Sequence, residues 1–163
     1  MERELRDQLL RLLENNSKLS SQDLAVMLGA TVEEVANEIS VLEQEHVICG
    51  YHTLIDWNEI NDDVTALVEL RVTPQGGDGY QKLAERIKEF PQVVTLYLMS
   101  GAYDFLVMVK GKTLKEISLF VSGKLASIHE VQNTTTHFTL TKYKEFGVDF
   151  EVEKVDERMV VTP

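Results

Sequence analysis

The chain has 163 residues, 44% hydrophobic and 26% charged, the balance of an ordinary globular protein of one domain or two small ones. One cysteine, Cys49, excludes a disulfide framework and a thiolate metal cluster, and no apolar run approaches the roughly 20 residues of a membrane span. The net charge of −11 works against holding any polyanion by bulk attraction. The opening Met1-Glu2-Arg3-Glu4-Leu5 is too charged for a signal peptide, so a cytoplasmic location is expected. From the start of the chain, Leu5, Leu9, Leu12 and Leu13 recur on one face of a first helix, which the polar run Asn15-Asn16-Ser17-Lys18 breaks. Ser20 or Ser21 can cap a second helix carrying Leu24, Ala25 and Leu28 and stopping at Gly29. Thr31 is the next cap, with Glu33 and Glu34 in the first turn. The third helix aligns Val32, Val35, Ala36, Ile39 and Leu42.

The periodicity then changes. Val47 to Ile55 is short and rich in β-branched residues and predicts a strand, with Cys49 packed in it as a small hydrophobe. Asp56 to Asp63 is a polar hinge, which sets domains at 1–60 and 61–163. Val64, Ala66, Val68, Leu70 and Val72 alternate as a half-buried strand, and Pro74 to Gly79 is a loop. A helix follows from Tyr80 to Phe90, with Leu83, Ile87 and Phe90 inward, ended by Pro91. Strands are predicted at Val93–Ser100 and Phe105–Lys110, around Gly101-Ala102-Tyr103-Asp104. Thr113 to Ala126 is a helix with Leu114, Ile117, Phe120, Val121 and Leu125 inward, and Val131 to Tyr143 is a last strand. The order β-α-β-β-α-β is the ferredoxin-like motif. The tail after Phe146 is charged and valine-rich, and either adds a strand to a neighbour or stays mobile.

Three small features sharpen the first domain. Ala25 permits close approach of the second and third helices, Gly29 supplies the turn, and Val35 locks the third helix onto the others. This spacing fits a helix-turn-helix, whose last helix enters the major groove. A three-helix bundle that binds no nucleic acid has the same spacing.

Gln22-Asp23-Leu24-Ala25-Val26-Met27-Leu28-Gly29-Ala30-Thr31, followed by Leu42-Glu43-Gln44-Glu45-His46-Val47-Ile48-Cys49-Gly50-Tyr51, resembles the Lrp/AsnC (feast/famine) regulators. Ser100-Gly101-Ala102-Tyr103-Asp104 resembles the Gly-x-Tyr-Asp loop of their second domain. The likeness covers nearly the whole chain. It implies an α+β fold: an N-terminal three-helix winged helix-turn-helix and a C-terminal ferredoxin-like domain for oligomerisation and effector sensing. Its implied partners are double-stranded DNA, a homodimer that often closes into larger rings, and a small effector such as an amino acid bound between dimers. No cofactor, metal or membrane is implied.

The expected DNA-binding residues are Lys18, Ser21, Thr31, Glu33, Glu34, Asn37, Glu38 and Val41. Asn37 suits adenine, and a carboxylate accepts from cytosine but repels phosphate. Family members usually carry basic residues on this face, whereas Glu38, Ser40 and Val41 stand here. Residues 1–60 hold four basic side chains, Arg3, Arg6, Arg11 and Lys18, against twelve acidic ones. Arg3, Arg6 and Arg11 are expected to help Lys18 contact the backbone.

The expected effector residues are Ser100, Gly101, Tyr103, Asp104, Thr134 and Thr136. Gly101 admits close approach, Asp104 suits an ammonium, and the hydroxyls suit a carboxylate or amide. The plainer readings are a hairpin turn closed by Asp104 and threonines present for strand propensity.

No nucleophile triad, phosphate loop or dinucleotide fingerprint is present, so no catalytic residue is expected. Two alternatives share the fold: an enzyme resembling siroheme decarboxylases, using His129 and His137, and an oligomer that binds protein or ligand but no DNA.

Overall fold

The structure, a computed structural model, describes residues 2–60 and 63–150. The chain divides into two compact units, Met1–Ile55 and Asp56–Pro163. The predicted tail falls largely at residues 151–163, outside the described residues.

The first unit is three helices: α1 (Arg3–Asn15), α2 (Ser21–Leu28) and α3 (Val32–Gln44). Leu9, Leu13, Leu24, Ala25, Leu28, Val35 and Leu42 form its core, with Leu5, Leu12 and Ile39 partly buried against it. The starts of α2 and α3 are set by reciprocal capping boxes. Ser20 Oγ accepts from the Asp23 N–H while the Asp23 carboxylate accepts from the Ser20 N–H. Thr31 and Glu34 make the same exchange for α3. Between them Gly29 sits at φ 65°, the left-handed conformation that ends α2 in one residue.

Three expectations for this unit change. The buried face of α3 is Val35, Glu38 and Leu42, so Val32 and Ala36 point outward and a carboxylate points in. The predicted Val47–Ile55 strand does not form. The N–H groups of Val47 and Ile48 bond the Leu42 carbonyl instead, so the segment first folds back on the end of α3. Among the described residues this unit contains no strand, hence no wing. Cys49 is exposed rather than packed, its thiol directed at the His46 carbonyl 3.2 Å away.

The second unit opens with a 3-10 turn at Trp57–Glu59 and builds a four-stranded antiparallel sheet from β1 (Val64–Val72), β2 (Val93–Leu98), β3 (Phe105–Gly111) and β4 (Val131–Phe138). Helix α4 (Gly79–Lys88) joins β1 to β2, and α5 (Leu114–Phe120) joins β3 to β4. The spatial order is β2-β3-β1-β4. Alternation along β1 sends Ala66, Val68 and Leu70 to one face, where they meet Val107 and Val109 of β3, Leu83 and Ile87 of α4, and Ile117 and Phe120 of α5. Leu67 and Glu69 take the opposite, helix-free face with Leu106, Met108, Thr135 and His137.

Helix α5 runs into a π turn at Val121–Leu125, and Leu114 is 55% exposed instead of inward. The last strand ends at Phe138, and a separate hairpin, β5 (Lys144–Glu145) and β6 (Val148–Asp149), follows.

Candidate nucleic-acid interface and effector loop

The outer side of α3 carries Glu33, Asn37, Ser40 and Gln44, spaced by three or four residues and therefore in one stripe. All four are exposed, and Gln44 Nε2 donates to Ser40 Oγ at 3.3 Å. Val41 is half-buried beside them. Lys18 is exposed in the α1–α2 turn, and Ser21, half-buried, is the first residue of α2.

Three of the expected DNA residues are engaged elsewhere. Thr31 Oγ1 and the Glu34 carboxylate are consumed by the cap: Glu34 Oε2 lies 2.9 Å from both the Thr31 N–H nitrogen and the Thr31 hydroxyl. The Thr31 N–H and hydroxyl favour the ionised acid and hold Glu34 below the usual carboxylate range. Glu38 is not on the stripe at all. It is only 7% exposed, and its carboxylate lies 3.3 Å from Arg6 Nε of α1. The sequence reading misses it because Val32 and Ala36 offered a rival apolar face on the same helix. Arg6 also bonds Glu45, just beyond α3, so it faces α3 and not a DNA backbone. Glu33 is therefore the carboxylate that the stripe itself presents.

The second unit places the expected effector residues at one end of the sheet. Ser100 and Gly101 are exposed at the tip of the β2–β3 connection. Gly101 has φ 142° and nothing within 4 Å of where a Cβ would stand, so backbone conformation by itself accounts for the glycine. Tyr103 is half-buried. Asp104 does something the sequence did not disclose: Oδ2 accepts from the Val72 N–H at 2.8 Å and Oδ1 accepts from the Tyr80 hydroxyl at 3.1 Å. The Tyr80 phenol is correspondingly raised, mainly by that bond to a carboxylate. Arg71 Nη2 donates to the Ala102 carbonyl at 2.7 Å, a second staple between β1 and this loop.

Thr134 and Thr136 pair with Leu70 and Val68 and share their helix-facing side, whereas Thr135 and His137 share the open face. The Asp104 N–H bonds the Leu70 carbonyl from the other edge of β1. Asp104 and Thr134 thus flank β1, roughly 10 Å apart at one strand spacing each, and do not converge on one point. His137 meets Glu69 at 3.2 Å, and His129 is exposed ahead of β4.

Residues 65–148 match the family model of the Lrp/AsnC ligand binding domain. The HTH-type transcriptional regulator YugG of Bacillus subtilis is 42% identical over 96% of this chain and 95% of its own length. The chain belongs to the Lrp/AsnC family of transcriptional regulators. An AsnC family regulator from Agrobacterium tumefaciens has the same fold, at 28% identity and a TM-score of 0.71 over 93% of this chain and 96% of that one. A Neisseria meningitidis regulator crystallised as its L-Met complex also shares it, at 19% identity and a TM-score of 0.73 over 94% and 97% of the two chains. These Lrp/AsnC relatives are regulators, not enzymes, which removes the tetrapyrrole reading of His129 and His137. Among the described residues no helix of this Lrp/AsnC chain is long and apolar enough to cross a membrane, and no acidic, His or Cys group is placed to hold a metal.

Proposed function

We propose that this protein is a sequence-specific DNA-binding transcriptional regulator that works as a homo-oligomer and whose assembly responds to a small effector. The observation that carries the reading is the Glu33-Asn37-Ser40-Gln44 stripe: an exposed polar face on the second helix of a tight α2–Gly29–α3 corner. Asn37 suits the N6/N7 edge of adenine, and Ser40 and Gln44 add donors and acceptors for base edges. Lys18, Arg3 and Arg11 are exposed cations of this unit and take the phosphate role. The open sheet face, with Leu67, Leu106 and Met108 half-buried and Tyr97 exposed, is the surface on which a second copy pairs.

The effector is an amino acid or a similar small molecule. The L-Met complex of the Neisseria protein supports that class, and Ser100 and Gly101, exposed at the tip of the β2–β3 connection, supply hydroxyl and backbone groups to it. Tyr103, Asp104, Thr134 and Thr136 support the surrounding strands. A ligand held between dimers changes the spacing of the helix-turn-helix units, and so the half-sites engaged together.

The test is a gel shift with DNA from immediately upstream of the protein's own gene, at low and near-physiological salt. A discrete shift that resists competitor DNA and weakens with salt supports the regulator. No shift even at low salt would return the chain to a ligand- or protein-binding module. Sedimentation across a panel of amino acids, methionine included, tests the effector: a single oligomer size throughout would count against it.

A further inference from the structure

We propose that Arg6 is a positioning residue for DNA recognition, which sets the rotation of α3 through Glu38 and touches no phosphate. The inference rests on the reading of α3 as the recognition helix.

Glu38 lies on the buried side of α3, three residues after Val35 and four before Leu42. Its side chain is 9% exposed, and a carboxylate taken out of water is costly unless a cation meets it. Arg6 Nε supplies that cation at 3.3 Å, and the other arm of the same guanidinium bonds Glu45. The two anchors are seven residues apart, about two helical turns. One planar fork from α1 therefore holds α3 at two heights. Apolar contacts at Val35 and Leu42 resist separation of the helices but tolerate small rotations, whereas a two-armed ion pair is directional. A residue step on a helix is about 100° of rotation, so the direction in which Asn37 and Ser40 point depends on this register.

The charge balance favours the same conclusion. Residues 1–60 hold four basic side chains against twelve acidic ones, yet one of the four is turned inward. A chain that used Arg6 for phosphate attraction would leave it facing outward.

The experiment uses the full chain, the same upstream DNA and a salt titration, with Arg6→Met, Arg6→Lys, Glu38→Leu and the Arg6→Met/Glu38→Leu pair. Arg6→Met removes the fork that bonds both Glu38 and Glu45 and is expected to weaken binding about tenfold. The slope of log affinity against log salt stays at the wild-type value, because the same phosphates are neutralised. Arg6→Lys keeps the charge, loses the fork, and weakens binding with the same slope. The pair variant removes both charges and recovers near-wild-type affinity, a strongly non-additive cycle. It remains readable if Arg6→Met alone fails to fold. A slope shallower by about 0.9 for each phosphate no longer neutralised, with the two substitutions simply additive, would overturn the positioning role and make Arg6 a backbone contact. Loss of the positioning role with wild-type binding intact leaves the regulator standing. A wild-type chain that binds no DNA sinks the regulator reading and this inference together.

Discussion

Asp104 shows a residue expected to hold a ligand serving as a brace. One oxygen accepts from the Val72 N–H and the other from the Tyr80 hydroxyl, which ties β1 and α4 to this loop and leaves each oxygen a second lone pair. Asp104→Ala is expected to cost about 1–3 kcal/mol, because it leaves a part-buried N–H without its acceptor. Chemical denaturation with no effector present measures it. An unliganded stability equal to wild type would mean that Asp104 serves the ligand alone. The caps make a second residue-scale case. Asp23, mainly through the Ser20 hydroxyl, and Glu34, mainly through the Thr31 N–H, are held below the usual carboxylate range. Folded-state values that are depressed contribute stability above the unfolded value, and this is lost as pH falls through the folded one. The first unit is therefore expected to weaken progressively below about pH 4, and Glu34→Gln to flatten that limb of a stability–pH curve. Thr31→Ala is expected to cost about 1 kcal/mol at neutral pH, read as a lower denaturant midpoint.

At the scale of elements, the α2–α3 corner depends on backbone more than on packing. Gly29 has φ 65° and open space around its missing side chain. Gly29→Ala therefore meets no clash, and its expected cost of about 1–2 kcal/mol comes from the left-handed conformation alone. A thermal melt of the full chain gives the figure, and a neutral result would show that the corner relaxes without loss. The elements that the sequence made legible are those where propensity and pattern agree. The capping signatures Ser20-x-x-Asp23 and Thr31-x-x-Glu34 mark helix starts in plain letters, and strict alternation marks β1. What stayed hidden depends on partners distant in the chain. Glu38 is inward where Arg6, 32 residues earlier, meets it, while Val32 and Ala36 offered an apolar face that fitted as well. The link of Asp104 to Tyr80 and Val72 likewise spans 24 and 32 residues. The β5–β6 hairpin was illegible because its turn is Phe146-Gly147, both at positive φ, where Asn-Gly is the usual signal. The Val47–Ile55 strand was over-read, since β-branched composition produces no ladder without a neighbouring strand to pair with.

For the whole molecule the difficulty is charge. On the proposed function, a chain of net charge −11, with its acids concentrated in residues 1–60, has to hold a polyanion with few exposed cations. Arg6 offsets one unit of this charge, shared by Glu38 and Glu45, whereas the caps keep the Asp23 and Glu34 carboxylates ionised. In the proposed oligomer the remaining deficit is met by number. Two helix-turn-helix units joined through their second domains would make the second binding event intramolecular, which raises affinity by about 10²–10⁴ without any new contact. The dependence can be broken in the second unit, without touching α3. Leu106 and Met108 stand on the open sheet face and contribute nothing to the core that Phe105, Val107 and Val109 form on the other side. Met108→Arg is therefore expected to leave both units folded, to convert the oligomer to monomer in sedimentation, and to weaken operator binding by about 10²–10⁴. A monomeric Met108→Arg protein that still bound its operator at wild-type strength would show that a single α3, acidic Glu33 included, suffices. An oligomer unchanged by the substitution would place the pairing surface elsewhere than this sheet face.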